Sequence, residues 1–183
     1  MQKILIASLS LLLGSSLLLT PNTAAAEPDK EATFSSVTVD IGMVAADLEK
    51  SAEFYTEALG LKETKGFTAP AEMATAFGLT DNHEAVIRVF ILGEGEGATR
   101  LKLMSFPNAP GAKPDQKFIH STIGVSYLTL RVTDMAAALA RLKKAKIELL
   151  GETPSPLGGN NFLTCVRDPD GNFIELIGPM KSE

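Results

Sequence analysis

The 183-residue chain has no tryptophan, two tyrosines, two histidines and a single cysteine. One thiol, Cys165, cannot make an internal disulfide, so the fold must rest on its apolar core. With neither histidine near it in sequence, Cys165 is expected as a small buried hydrophobe rather than a nucleophile. The two imidazoles, His83 in LTDNHE and His120 in KFIHS, are expected as surface or hydrogen-bonding side chains. Basic runs and stripes are also missing. Acidic residues outnumber basic ones, 22 to 17, for a net charge of −5, which argues against a nucleic-acid surface.

Long hydrophobic runs are absent except at the start, MQKILIASLSLLLGSSLLLTPNTAAAEPDK. Ile4 to Leu19 is shorter than the ~20 apolar residues a membrane span needs. With Lys3 before it and Ala24, Ala25 and Ala26 after it, the pattern is that of a secretory signal peptide, residues 1–26. No cysteine near the cut offers a lipid anchor. The expectation is an exported product, secreted or periplasmic, without a stable membrane anchor, and residues 27–36 read as a flexible lead-in.

What the remainder does contain is a repeat. VDIGMVAADLEKSAEFYTEALGLKE, residues 39–63, is echoed by SYLTLRVTDMAAALARLKKAKIELL, residues 126–150. Setting Asp47 against Asp134 pairs Leu48 with Met135, Ala52 with Leu139 and Tyr55 with Leu142; a one-residue gap then sets Leu61 against Ile147. Each copy reads strand, helix, strand. The strands alternate with a period of two, the aspartates stand at the helix N-caps, and Gly60 or, with the gap, Lys146 stands at the stop. Two further strands follow in each copy. AVIRVFIL and TRLKLM flank GEGEGA, while FLTCVR and NFIELI flank the turn DPDG. APAEMATAFGL, residues 69–79, reads as a short helical insertion in the first copy. The expected organisation is module one at 37–104, a proline-bearing linker at 105–124 and module two at 125–179. The fold class is α+β: two tandem βαβββ modules whose mixed sheets form a cup, with the helices outside.

The run IGMVAADLEKSAEFYTEALGL, its echo LTLRVTDMAAALARLKKA and the closing DPDGNFIELIGP resemble the vicinal oxygen chelate superfamily. That group holds glyoxalase I, bleomycin- and fosfomycin-resistance proteins and extradiol dioxygenases, and the resemblance spans nearly all of residues 37–179. It implies a glyoxalase-like fold and, in the family's enzymes, a divalent metal in the cup held by His on first strands and Glu on last strands. Carried over by position, those places fall to Asp40, Lys102, Tyr127 and Glu175, so only Glu175 keeps the familiar type. A hard cation would have Asp40 and Glu175, with His120 as a further donor if the linker folds over the cup, and Lys102 would oppose it.

The expectation is therefore a cup without the usual metal and with no cofactor, Lys102 standing in for the ion and bridging one or both carboxylates. Tyr127, Thr129 and Arg131 should face the cup, and Leu128, Leu130 and Val132 should lie under the helix. Such a cup suits a small organic ligand, with Lys102 and Arg131 orienting an anionic group and Tyr127, Thr129 and Asp40 adding polar contacts. The alternative is a glyoxalase-like lyase or isomerase rather than a dioxygenase. It would use either metal-independent proton transfer, with Glu175 or Asp40 as base and Tyr127 or Lys102 as acid, or a divalent metal on Asp40 and Glu175. A partner-binding accessory domain is a third reading. A homodimer is left open by the resemblance, since family members pair modules within one chain or between two.

Overall fold

The computed structural model describes residues 34–95 and 97–181. The expected leader, residues 1–26, and most of the lead-in lie outside them. Module one runs β1 (Ile41–Val44), α1 (Leu48–Glu53), β2 (Lys62–Ala69), α2 (Ala71–Ala76), β3 (Ala85–Leu92) and β4 (Thr99–Ser105). Module two runs β5 (Tyr127–Arg131), α3 (Met135–Lys144), β6 (Ser155–Gly158), β7 (Asn161–Arg167) and β8 (Phe173–Pro179). The two sheets have one topology: β1-β4-β3-β2 and β5-β8-β7-β6. In each, the first strand is parallel to the last and the other pairs are antiparallel.

Both long helices start where an aspartate can accept from a free amide. Asp47 Oδ1 takes the Lys50 amide at 3.1 Å, and Asp134 Oδ1 takes the Ala137 amide at 3.2 Å. α1 continues through a wider turn, Phe54–Ala58, in which the Leu59 amide reaches back to the Phe54 carbonyl. Gly60 then ends it with φ +84°. At the matching place in module two Lys146 takes φ +57°, with the Ile147 amide on Leu142 O and the Lys146 amide on Lys143 O. That is the glycine-type stop, made by a residue with a Cβ.

One apolar core serves both modules. Phe54, Tyr55, Phe90 and Leu103 of the first pack with Met135, Leu142, Ile174 and Leu176 of the second. The strands contribute alternate residues to this helix-side core, and Leu128, Leu130 and Val132 are among those packed on it. α2 lies within the span read as a helical insertion. The reading of KIELL as a strand is corrected. Residues 147–150 form no ladder; Ile147 and Leu149 pack on the core, and the Leu150 amide alone reaches Cys165 O. The partner of β7 is instead β6, brought back by Gly158 and Gly159, both at positive φ. A tight turn closes that pairing locally, which a distant KIELL strand would have to displace.

The turn of module two is fastened to the helix of module one. Asp170 accepts from the Ala46 amide at 3.1 Å and the Ser51 hydroxyl at 3.2 Å, and Asp168 accepts the Tyr55 hydroxyl at 3.0 Å. Asp168 is buried, and its carboxylate also takes the Asp170 amide, the Asn172 amide and the Asn172 side chain. A buried carboxylate is tolerable on these terms because its lone pairs are filled by donors.

Candidate functional site

With the core on the helix side, the opposite sheet face carries the other half of every strand. The registers set Lys102 of β4 beside Gly42 of β1 and Val89 of β3, and they set Glu175 of β8 beside Thr129 of β5 and Cys165 of β7. Asp40, one residue before β1, reaches Lys102: its Oδ2 lies 2.7 Å from Nζ. The Lys102 ammonium, as hydrogen-bond donor, holds the Asp40 carboxyl below the ordinary aspartate value, against a smaller upward push from desolvation. Thr129 Oγ1 donates to Glu175 Oε2 at 2.7 Å. Burial, helped by the Glu175 charge, pushes the Cys165 thiol up, so it rests protonated, as expected of an inert cysteine.

The polar residues thus form two pairs, Asp40–Lys102 and Thr129–Glu175, rather than one bridged cluster. Lys102 takes one carboxylate and Glu175 is held by a hydroxyl, because each is satisfied by a neighbour on an adjoining strand. Tyr127 is 48 % exposed and lines a cavity of about 220 Å³ between β1 and β5, with Ile41 to Val44, Val125, Ser126, Leu128, Asn172 and Phe173. Thr129 and Arg131 are exposed. The face is accordingly more open than an enclosed cup.

A second cavity, about 370 Å³, lies over β2, β3 and β4 of module one and includes Lys102 in its wall. Thr64, Lys65 and Arg100 are its other polar lining, over Phe67, Val89 and Ile91. Neither Lys65 nor Arg100 was singled out from the sequence. Arg100 could have been, since it precedes Lys102 by two in TRLKLM and so shares its face. For Lys65 the signal is the Gly66 that interrupts KETKGFTA, a mark of a bulge inside a strand.

The donors at the four positions do not fit a divalent ion. An ammonium lies against Asp40 at ion-pair distance, Glu175 is engaged by Thr129, and the one remaining candidate is a phenol. The imidazoles are placed elsewhere: His83 Nε2 lies 3.4 Å from Asp81, and the His120 ring stacks on Phe118 at 5.5 Å. Among the described residues no group of three or more His, Cys, Asp or Glu is placed to hold a metal.

Comparison with known proteins accounts for this arrangement of strands. The family model of the glyoxalase/bleomycin resistance protein/dioxygenase superfamily matches residues 37–176. Among solved structures, a glyoxalase family protein from Bacillus cereus superposes with TM-score 0.68 at 19 % identity, over 83 % of this chain and 99 % of that one. A glyoxalase/bleomycin resistance protein/dioxygenase domain from a Frankia species gives 0.57 at 18 %, over 81 % and 95 %. The trypanothione-dependent glyoxalase I of Leishmania major gives 0.54 at 22 %, over 77 % and 85 %. At these identities the likeness is one of fold. No curated protein sequence matches the chain. On the family match and the duplicated βαβββ topology together, this chain belongs to the glyoxalase/bleomycin resistance protein/dioxygenase superfamily.

Proposed function

We propose that the chain is an exported, glyoxalase-like protein that binds a small polar or anionic organic molecule on the helix-free face, without the metal usual in its family. The observation that carries this is the Lys102 ammonium on that face, 2.7 Å from Asp40. An ammonium has three donors, and Asp40 engages one side of it, so the remainder can meet a ligand's anionic group. Arg131, exposed on β5, supplies a second cation, and Tyr127 presents a phenol at the β1/β5 cavity, whose walls are otherwise largely apolar. Pockets of this kind combine apolar burial with a few oriented polar groups.

Export is the part of the reading that rests on the first 26 residues. Fractionation of a producing cell, with N-terminal sequencing of the recovered protein, tests it: an intact Met1 in the cytoplasm would overturn it. Ligand binding is tested by native mass spectrometry of the exported protein from its native source. The expected mass is that of the chain plus a stoichiometric small organic molecule. A tightly held divalent ion, with melting that drops on chelation, would overturn the metal-free reading.

The second reading, a lyase or isomerase working by proton transfer, has one observation in its favour. Thr129 fixes Oε2 of Glu175, which would aim the carboxylate as a base while Tyr127 or Lys102 stabilises developing negative charge. Glu175→Gln separates the two. A binding protein keeps most of its affinity, whereas a base-dependent enzyme loses roughly 10²–10⁴-fold in turnover.

A further inference from the structure

β2 and β3 pair with a register shift. Thr64 stands opposite Val89 and Phe67 opposite Ile87, so Lys65 and Gly66 share a bulge. In a regular strand Thr64 and Lys65 would point to opposite faces. Here both line the 370 Å³ cavity, because the extra residue re-aims the chain. The bulge requires the glycine: a Cβ on residue 66 would sit 2.3 Å from the Ile87 carbonyl oxygen.

The result is a basic rim. Lys65 comes from β2, and Arg100 and Lys102 come from β4, where a spacing of two residues places both on one face. Among the described residues that line the cavity there is no carboxylate, in a chain whose net charge is −5. Beneath the rim lie Phe67, which is half exposed, the partly buried Ile91 and the buried Val89. Concentrated positive charge over an apolar floor is the complement of a molecule with an anionic head and an apolar body. Asp40 pairs with Lys102 and its charge is also felt by Arg100, so part of the positive charge is offset on the β4 side. Lys65 and Arg100, neither of them in an ion pair among the described residues, carry most of the anion recognition.

We infer that this module-one cavity, shaped by the Gly66 bulge, is where the ligand's anionic group is held, and that the ligand is an amphipathic organic monoanion such as an aliphatic or aromatic carboxylate. The inference rests on the small-molecule reading above and narrows it in place and in chemistry.

Calorimetric titration of the exported protein with octanoate and benzoate, against octanol and benzyl alcohol, tests it. The carboxylates are expected to bind, weakening as salt rises, and the alcohols to bind at least tenfold more weakly. Lys65→Gln and Arg100→Gln, both exposed substitutions that leave the core untouched, should each lower carboxylate affinity about five- to tenfold, with unchanged circular dichroism. Carboxylate binding that ignores both substitutions but is lost in Arg131→Gln or Tyr127→Ala would overturn the inference and leave the binding reading standing. Alcohols binding as tightly as the acids would overturn the anionic class. No binding of any probe would count against both.

Discussion

The most exacting test of this structure is the removal of one oxygen atom. Tyr55 is 1 % exposed, and its hydroxyl donates to Asp168 at 3.0 Å, joining the helix of one module to the turn of the other. Replacing it in Tyr55→Phe keeps the ring in place and deletes that bond, together with a weaker 3.7 Å contact of the hydroxyl with Met43 Sδ. A hydrogen bond to a charged acceptor contributes about 1.5–3 kcal/mol. Asp168 keeps three other donors, at 3.0, 2.8 and 2.8 Å, so it is not left bare. We therefore expect a loss near the middle of that range, about 2 kcal/mol, or about 4–8 °C in melting temperature for a domain of this size.

The same phenol has a second signature. Burial, and then the negative charge of Asp168, push its pKa far above the ordinary tyrosine value of 10.0. The folded protein therefore keeps a proton that the unfolded chain releases as pH rises past 10. That contribution is fully present below pH 10 and is lost above it, at about 1.4 kcal/mol per pH unit for one proton. Urea midpoints of wild type and Tyr55→Phe should accordingly converge as the pH is raised. With only two tyrosines and no tryptophan in the chain, phenolate absorbance can follow ionisation directly, and Tyr127→Phe isolates the Tyr55 signal. Ionisation of Tyr55 at about pH 11 in a protein that remains folded would refute the reasoning, as would an unchanged midpoint at neutral pH.

Other expectations are narrower. Lys146→Gly should stabilise the fold by about 1 kcal/mol, because a side chain is removed from a left-handed backbone position; equilibrium denaturation measures this. Gly66→Ala should cost about 1–3 kcal/mol by pressing a Cβ on the Ile87 carbonyl, and calorimetry on the variant should show carboxylate affinity falling with it. The Asp40 carboxyl lies below its unfolded value of 3.8, so its contribution is present above that pH and lost as the pH falls through the folded value. Because the pair is partly exposed, Asp40→Asn should change stability by no more than about 1 kcal/mol at neutral pH, measured by urea melts.

Much of the fold was written in local pattern. Asp47 and Asp134 cap because a carboxylate one residue before an apolar stripe has free amides to accept, and the sequence places both. The alternation of Leu128, Leu130 and Val132 identifies the core side of β5 directly. KIELL misled because Ile147, Leu149 and Leu150 have strand composition, whereas strand pairing depends on which partner edge is free, and the Gly158–Gly159 turn fills that edge. At the candidate site, facing is legible from periodicity but partnership is not. Nothing in the spacing of residues 40, 102, 129 and 175 says that the lysine takes one carboxylate and a threonine the other. Lys65 escaped notice because its aim depends on a register shift, and period-two reasoning assigns it to the wrong face.

The fastening of the DPDG turn across the repeat has an implication for how such a chain could arise and be divided. A lone first half would leave the Ala46 amide and the Tyr55 hydroxyl without their acceptors, and a lone second half would leave the Asp170 carboxylate without its two donors and Asp168 one donor short. The duplicated halves are therefore no longer interchangeable copies: one has become the lock and the other the keyhole. Separately expressed, they should need each other's presence in solution before either acquires a native spectrum.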